Sequence, residues 1–466
     1  MPHTIIIMKN RFLITLILPV VFLLASCMSF EDPEPQTGED EMRELFLYSQ
    51  YQTAMFMGSD FARFPALWMQ QLSGVRGSHL MAENYEPLHH SLDDVWRSFY
   101  NDLLQSFYMM ELYAHELDAK VFRGITLIHR AFLLNAFTDA WGDVPFYESS
   151  KYYGGGNNPV YDSQEELYET ISQMLEQGLG FLENPGEDPL LPRPSEDVIF
   201  GGSVERWKKL AHLVRLRHSL RLGNHSGDYS MSLLLLQQGG FFDSAEDDML
   251  FPFSAFTELE NPWNRFDFVV GNTRIGKKFA DMLHETEDPR LPRYIRMNTQ
   301  NQYLGAAPGS ANFDASRIAN ASGSVGAPNA PLYLITYCEQ KFIEAEIYYR
   351  HGWQDQADAA YNEAVIASLA MHNARNAEWE AVHANRSGVD LEDIITAKYI
   401  ALFLNPEVWS DWRRTGYPEI LDFPPANSND DRVPRRLIYP AVEEQTNPTN
   451  YPREVDVNTR VWWDVE

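Results

Sequence analysis

Apolar residues recur at helical spacing through much of the chain. Between Gln164 and Leu182, one face carries apolar side chains at three- and four-residue intervals: Leu167, Ile171, Leu175, Leu179 and Leu182. The stretch Asp118–Ala140 is apolar around most of its circumference, which predicts a buried helix, and a third helical pattern runs from Arg206 to Leu222. We therefore predict a mainly all-α fold, with a helical scaffold at about residues 95–222 and 332–420.

The most specific local pattern is a pair of helices separated by a glycine. The sequence predicts one helix over Leu332–Tyr349, a break at Gly352, and a second helix with Ala357, Tyr361 and Ala364 on one face. A glycine followed by small and aromatic residues at this spacing is typical of the turn and second helix of a tetratricopeptide hairpin. No 34-residue period continues elsewhere, and a generic helical hairpin has a similar pattern.

The region between these scaffolds has little periodicity. Residues 223–331 are rich in Gly, Pro, Asn and Asp and show no alternating pattern strong enough for a large sheet. We predict a loop-rich region there. Long loops in a compact domain are often the segments that carry function.

The first residues have the arrangement of a bacterial lipoprotein signal. Lys9 and Arg11 precede an apolar run that is shorter than the roughly 20 residues of a spanning helix. The run ends in Leu-Ala-Ser-Cys, which resembles a lipobox and predicts a signal peptide at residues 1–26 with lipidation of Cys27. A secretory signal with an incidental cysteine is the alternative. Residues 27–41 are acidic and almost free of apolar side chains, which predicts a flexible tether.

Charge and cysteine content exclude several classes of protein. The net charge of −29 makes nucleic acid a poor partner, because phosphate binding needs a basic surface. The two cysteines, Cys27 and Cys338, form neither a disulfide framework nor a metal motif. The motifs of zinc proteases, phosphate loops and serine hydrolases do not occur. We predict no metal, no cofactor and no catalytic residue, although 66 acidic residues leave room for a carboxylate pair of the glycosidase kind.

Short motifs follow one another along the chain in a characteristic order. They are Trp68–Gly74, Trp96–Tyr100, Trp141–Phe146, Pro159–Tyr168, Gly201–Ala211, Asp288–Leu291, Tyr337–Gly352 and Trp409–Pro418. Each is weak alone, but together, behind a lipobox-like segment, they resemble the SusD/RagB nutrient-binding outer-membrane lipoproteins, in the SusD-like branch. The sequence departs from the family pattern at Ser203 and His212, where Asp and Asn are expected, which puts local helix capping in question.

This resemblance implies a fold and a function. The fold is a SusD-like α-helical fold with tetratricopeptide-like hairpins and long irregular loops, in one ligand-binding domain over residues 42–466. The protein would be a non-enzymatic lipoprotein, anchored to the outer membrane and exposed at the cell surface. It would capture an oligosaccharide or a peptide and deliver it to a SusC-like TonB-dependent transporter.

Ligand contacts are expected in two irregular stretches that contain aromatic residues. The candidates are Trp68, Arg76 and Tyr85 in the first stretch and Phe253, Trp263, Asn264 and Arg265 in the second. A tryptophan beside an amide and a guanidinium suits a sugar, because the ring stacks on the apolar face of the sugar while the polar groups bond its hydroxyls. The same set suits a peptide. In the alternative interpretation these rings only pack the loops onto the core.

Two other functions are compatible with the sequence. A surface-anchored helical glycoside hydrolase or lyase would place two carboxylates across a cleft and consume its substrate. A tetratricopeptide scaffold that binds only protein would have no small-molecule site. Glycan and peptide ligands are both compatible with the candidate residues.

Overall fold

The computed structural model describes residues 38–149, 158–256, 259–265, 271–310, 315–420 and 422–465. Helices dominate these residues, so the predicted all-α class is confirmed. The signal peptide, Cys27 and residues 27–37 of the predicted tether lie outside the described residues. The last four tether residues, 38–41, are helical instead. Their acidic side chains stabilise the positive end of the helix dipole, and Glu39 forms an ion pair with Arg43 at 2.9 Å.

The helices occupy both predicted scaffold regions and several additional positions. They are α1 (Gly38–Met57), α2 (Asp60–Trp68), α3 (Gly77–Glu83), α4 (Asp93–Arg97), α5 (Gln105–Glu116), α6 (Lys120–Trp141), α7 (Gln164–Glu183), α8 (Val204–Ser226), α9 (Ser230–Gln238), α10 (Lys277–Glu285), α11 (Leu291–Tyr294), α12 (Gly323–Gly326), α13 (Tyr337–Arg350), α14 (Gln354–Met371), α15 (Ala377–His383), α16 (Leu391–Ala401), α17 (Glu407–Thr415) and α18 (Ala441–Thr446). A π-helical segment, Ser98–Leu104, joins α4 to α5. The three strongest sequence patterns correspond to α6, α7 and α8.

Helices α6 and α7 approach closely because each has a glycine at the contact. A Cβ atom on Gly124 would lie 2.9 Å from the carbonyl oxygen of Gly178, so no larger residue fits without a shift of the backbone. Helix α7 begins with a capping box formed by Ser163 and Glu166. Helix α6 ends at Trp141, and the cap residue Gly142 has a φ of 77°, which favours glycine.

The serine that departs from the family pattern performs the expected capping. The Ser203 hydroxyl accepts a hydrogen bond from the Arg206 amide at 3.3 Å at the start of α8. The substitution of serine for aspartate therefore preserves the beginning of this helix.

The predicted hairpin is present as α13 and α14, but its first helix starts later than expected. Residues Leu332–Ile335 form a strand, and Thr336 caps α13 by accepting a hydrogen bond from the Glu339 amide. The prediction of one helix from Leu332 was wrong because this apolar run pairs with a strand that is distant in sequence. At the turn, Gly352 has φ 72°, and Ala357 and Ala364 are completely buried between the helices.

Among the described residues, six short strands form three antiparallel pairs. They are β1 (Leu72–Gly74), β2 (Met249–Phe251), β3 (Thr273–Ile275), β4 (Ile295–Arg296), β5 (Asn320–Ala321) and β6 (Leu332–Ile335), paired as β1–β3, β2–β6 and β4–β5. The region 223–331 is therefore more regular than the predicted loop, since it holds four of these strands besides α9 and α10. Two of its strands pair with partners outside the region, a long-range contact that local periodicity does not reveal.

A set of buried ion pairs connects the helices of the scaffold. Arg217 on α8 donates hydrogen bonds to Glu339 on α13, with the Nε–Oε1 distance 2.9 Å. Arg221, one turn later, forms ion pairs with Asp139 on α6 at 2.8 Å and with Glu407 on α17 at 2.7 Å. Because all five side chains are buried, each charge depends on its partners for stabilisation.

The double arginine of α17 belongs to the same interior. Arg414 donates to Glu346 on α13 through both terminal nitrogens and to Asp411 at 3.0 Å. Arg413 donates to the Asp139 carbonyl oxygen at 2.7 Å. These contacts make both arginines part of the buried helix interface. Across the described part of the chain, no helix combines the length and apolarity needed to cross a bilayer.

Candidate functional site

Four short strands form a small surface on which polar residues point outward. The backbone amide of Ile275 on β3 donates to the Ala319 carbonyl beside β5, which places the strands in the order β1–β3–β5–β4. Ile275, Ala319 and Ile295 are buried beneath it. We call residues 72–76, 271–275, 295–304 and 316–321 the strand platform.

Alternation along the strands brings three polar residues to the outer side of the strand platform. Arg296 on β4 lies directly opposite Asn320 on β5, and Arg274 occupies the equivalent outward position on β3. Arg296 is exposed, whereas its strand neighbour Ile295 is only 1% exposed. One side of β4 and β5 therefore belongs to the core and the other faces solvent, whereas β1 is buried on both sides.

The loop after β4 adds hydrogen-bonding side chains to this surface. Buried Asn298 organises the turn: its side-chain oxygen accepts from the amides of Gln300 and Gln302, both at 2.9 Å, and its side-chain nitrogen donates to the Arg317 carbonyl. Residues 299–302 are consequently exposed. The apolar side chains of Met297 and Leu304 beside them are 42% and 45% exposed.

The sequence around this surface differs sharply from the rest of the chain. Residues 289–338 contain one acidic residue, Asp314, against about seven expected from the 66 acidic residues among 466. The same fifty residues contain four arginines and many amides and hydroxyls. Amides, hydroxyls and guanidinium groups are the side chains that read sugar hydroxyls or peptide groups.

A seam of buried polar groups fixes the edge of the strand platform. The Gly309 amide donates to the Glu83 carboxylate at 3.0 Å, and the Ser428 amide donates to the Asn84 carbonyl at 2.9 Å. Burial raises the pKa of Glu83 to about 8, and the Gly309 hydrogen bond only partly opposes this effect. The seam joins three loops that are far apart in sequence.

The first group of predicted ligand contacts is mostly buried. Trp68 is 5% exposed, donates from its indole nitrogen to the Ala82 carbonyl at 3.0 Å, and packs edge-on against Trp409. Tyr85 is 3% exposed. Arg76 is exposed and follows β1 at the strand platform. Of the three, only Arg76 is exposed.

The second group is divided in a similar way. Trp263 is 1% exposed beneath the guanidinium of Arg63, 5.2 Å from the ring, and Phe253 is 7% exposed. Asn264 uses its side-chain nitrogen to hold the Gly326 carbonyl at 2.7 Å. Arg265 is exposed, with Glu260 at 4.0 Å.

The two groups of candidate residues approach each other only through side chains that are buried in the core. Trp68 and Arg63 both lie on α2, so the predicted stretches converge on this helix through buried side chains. Trp68, Tyr85, Phe253 and Trp263 pack loops onto the core, which corrects their expected role as an exposed sugar platform. Phe256, which the sequence analysis did not select, is 80% exposed.

The polar residues of the strand platform were not among the candidates predicted from the sequence. Arg296, Arg317 and residues 299–302 lie in the predicted loop region but carry no aromatic motif. The depletion of acidic residues over 289–338 was the available signal. It appears only when the local charge is compared with that of the whole chain.

Two small cavities in the described part of the protein are too small for a sugar. One, of about 50 Å³, lies beside Trp263, Tyr333 and His372. Another, of about 30 Å³, is lined by Asp139 and Glu407, whose carboxylates are engaged by Arg221. Ligand pockets usually measure several hundred Å³. The described residues contain no cluster of metal-ligating side chains.

The fold and the open polar surface define a helical protein with an exposed candidate binding face. The chain belongs to the SusD-like family: the family profile described as "Starch-binding associating with outer membrane" matches residues 35–440. The resemblance predicted from the ordered motifs is thereby confirmed. Members of this nutrient- and carbohydrate-binding family are generally binding proteins associated with the outer membrane.

Solved structures share the fold along almost the entire chain. A chitin-binding protein has a TM-score of 0.78 with 23% identity, covering 91% of this chain and 100% of its own. A SusD/RagB family protein from Bacteroides thetaiotaomicron has a TM-score of 0.76 with 20% identity, covering 91% and 98%. A chitin-binding SusD homologue from Flavobacterium johnsoniae has a TM-score of 0.75 with 20% identity, covering 92% and 98%. Among curated proteins, none matches this sequence.

Proposed function

We propose that this protein captures an oligosaccharide on the strand platform and passes it to a SusC-like TonB-dependent transporter. The observation that carries the proposal is the exposed, acid-poor surface formed by residues 295–304 and 316–321 in a strongly acidic protein. Membership of a carbohydrate-binding family supports the ligand class.

The side chains of the strand platform suit the two kinds of surface that a sugar presents. Thr299, Gln300 and Asn301 supply donors and acceptors for hydroxyl groups. Met297 and Leu304 offer apolar area for the C–H faces of the rings. An open surface of this kind accommodates a chain that extends beyond the contact region.

The proposed location rests on the N-terminal sequence and on the family. Residues 1–26 would be removed as a signal peptide, and Cys27 would carry the lipid that anchors the protein to the outer membrane at the cell surface. A second lipid chain or a further contact is needed for stable anchoring, because one acyl chain binds a membrane only weakly.

In this proposal, the protein binds its ligand and releases it chemically unchanged. Asp139 and Glu407 are not suited to act as the catalytic pair of a hydrolase. Both carboxylates are buried and paired with Arg221. A glycosidase needs one carboxyl group to protonate a leaving oxygen and a second one facing the same substrate.

Binding calorimetry on the chain from Met28 onward tests this function. The ligands are neutral and acidic oligosaccharides and a peptide digest, with product analysis of every sample. We expect saturable oligosaccharide binding without cleavage. The variant Gln300→Ala should bind about three- to tenfold more weakly, as for the loss of one or two hydrogen bonds.

The matched control is Gln177→Ala, which removes an exposed amide from the outer face of α7. It should bind as the unmodified protein does. Binding of peptides alone would refute the oligosaccharide proposal, and cleavage of any ligand would establish the hydrolase or lyase alternative.

A further inference from the structure

Most arginines of this protein have partners within the fold. Among the described residues, four have a guanidinium group with no hydrogen bond, ion pair or ring contact: Arg76, Arg215, Arg296 and Arg317. Three of the four belong to the strand platform. This distribution is notable in a chain with 66 acidic residues available for pairing.

The backbone brings Arg296 and Arg317 to neighbouring positions. Arg296 pairs with Asn320 across the two strands, and Arg317 lies three residues before that asparagine. The side-chain nitrogen of Asn298 donates to the Arg317 carbonyl, and the Thr299 amide donates to the Ser316 carbonyl at 3.1 Å. These bonds tie the segment that holds Arg317 to the residues directly after Arg296.

Arg76 lies across the strand platform from this pair. It follows β1, where the Val75 amide donates to the Asn272 carbonyl at 2.8 Å. Adjacent strands lie about 4.8 Å apart, so β1 and β4 are roughly 14 Å apart. Alternation from Ser73, which pairs with Arg274, places Arg76 on the opposite side of β1, so the shared cation site is confined to Arg296 and Arg317.

From this arrangement we propose that the ligand is an acidic oligosaccharide whose carboxylate or sulfate groups bind Arg296 and Arg317. This inference rests on the proposed oligosaccharide-capture function and specifies its substrate class. Guanidinium groups bind both kinds of anion through paired hydrogen bonds, so carboxylated and sulfated sugars are two sources of the same chemistry.

The charge of the rest of the molecule strengthens this specificity. With a net charge of −29, most of the surface repels an anionic glycan, and the strand platform is a local exception. An acidic sugar would therefore be directed toward this surface and away from others. A neutral glycan would gain hydrogen bonds from Arg296 and Arg317 but no charge attraction.

The test is calorimetric titration of the chain from Met28 onward with three sets of probes. They are oligogalacturonates for carboxylates, carrageenan oligosaccharides for sulfates, and malto- and chito-oligosaccharides as neutral sugars. We expect at least one acidic set to bind tenfold or more tightly than the neutral sugars. That affinity should decrease as the salt concentration rises from 50 to 300 mM, because salt screens charge interactions at exposed sites.

Variants identify the residues responsible. Arg296→Gln and Arg317→Gln should each weaken binding of the acidic probe about tenfold, and Arg296→Lys should retain part of the affinity because it keeps the charge. Arg215→Gln removes an arginine that is equally unpaired but lies on α8, and it should leave binding unchanged.

The possible outcomes separate this inference from the function on which it rests. Neutral sugars that bind as tightly as the acidic ones, without dependence on salt, would overturn the acidic-ligand inference and leave oligosaccharide capture intact. The absence of binding by every sugar would overturn both. Acidic binding that Arg215→Gln weakens as strongly as Arg296→Gln would remove the strand platform as its site.

Discussion

The interior of the helical scaffold and the strand platform use arginine in opposite ways. In the scaffold, Arg217, Arg221 and Arg414 are buried, and each is bonded to at least one carboxylate on another helix. On the strand platform, Arg296 and Arg317 are exposed and have no partner among the described residues. The same side chain therefore holds helices together in one region and is available to a ligand in the other.

The difference follows from desolvation. A buried guanidinium must be compensated by an anion, because removing it from water is costly, and its loss leaves an uncompensated partner. An exposed guanidinium remains hydrated and contributes little to folding. Substitutions should consequently affect stability in the scaffold and ligand binding on the strand platform.

The largest expected effect is on stability, from Glu346→Ala in the scaffold. Burial alone would raise the pKa of Glu346, but Arg414 and Arg350 outweigh this effect and lower it to about 2. The variant leaves Arg414 buried with only Asp411, so the free energy of unfolding should fall by about 3–5 kcal/mol in urea denaturation.

The control for this substitution is Glu444→Ala, which breaks an exposed pair with Arg453 and should cost at most about 1 kcal/mol. Equal losses in the two variants would contradict the role assigned to burial. The lowered pKa also predicts a pH dependence: the contribution of Glu346 is complete above about pH 4.5 and is lost as the pH falls toward 2.

A smaller effect is expected from Glu83→Gln at the seam of the strand platform. The pKa of Glu83 is raised from 4.5 to about 8, so the folded protein holds this proton while the unfolded chain has released it. Stability should therefore decrease as the pH rises from about 4.5 to 8, by roughly 2–3 kcal/mol at pH 7. Glutamine cannot ionise and should remove this slope.

Denaturation of both proteins at several values between pH 5 and 8 measures the slope. Glu86→Gln, three residues later and less buried, serves as the control and should keep it. A slope that persists unchanged in Glu83→Gln would show that another group titrates in this range.

Local signals in the sequence were sufficient for the helical scaffold. The apolar periodicity located α6, α7 and α8, and the glycine and alanine spacing located the hairpin of α13 and α14. These elements are defined by contacts within about four residues, which a sequence pattern records directly. The strands were missed because Leu332–Ile335 and Thr273–Ile275 pair with distant segments.

The candidate site was harder to predict, because a tryptophan in an irregular stretch suits the core as well as a ligand. Trp68 and Trp263 satisfy the aromatic criterion and are buried, whereas Arg296 and Arg317 satisfy no motif and are exposed. Burial depends on which loops meet in space. Acidic residues are depleted over the fifty residues around the strand platform. This depletion was more informative about the location of the exposed polar surface than any single aromatic ring.

The smallest effect on stability, and the sharpest contrast with Glu346→Ala, is expected for the double variant Arg296→Gln/Arg317→Gln. Neither guanidinium has a partner among the described residues, so the free energy of unfolding should change by no more than about 0.5 kcal/mol. An acidic oligosaccharide at about 100 times its Kd should stabilise the unmodified protein by about 2.7 kcal/mol and the double variant by far less. Urea denaturation with and without the sugar measures both quantities. A double variant that unfolds as easily as Glu346→Ala would mean that these arginines maintain the fold, and the contrast between the two regions would fail.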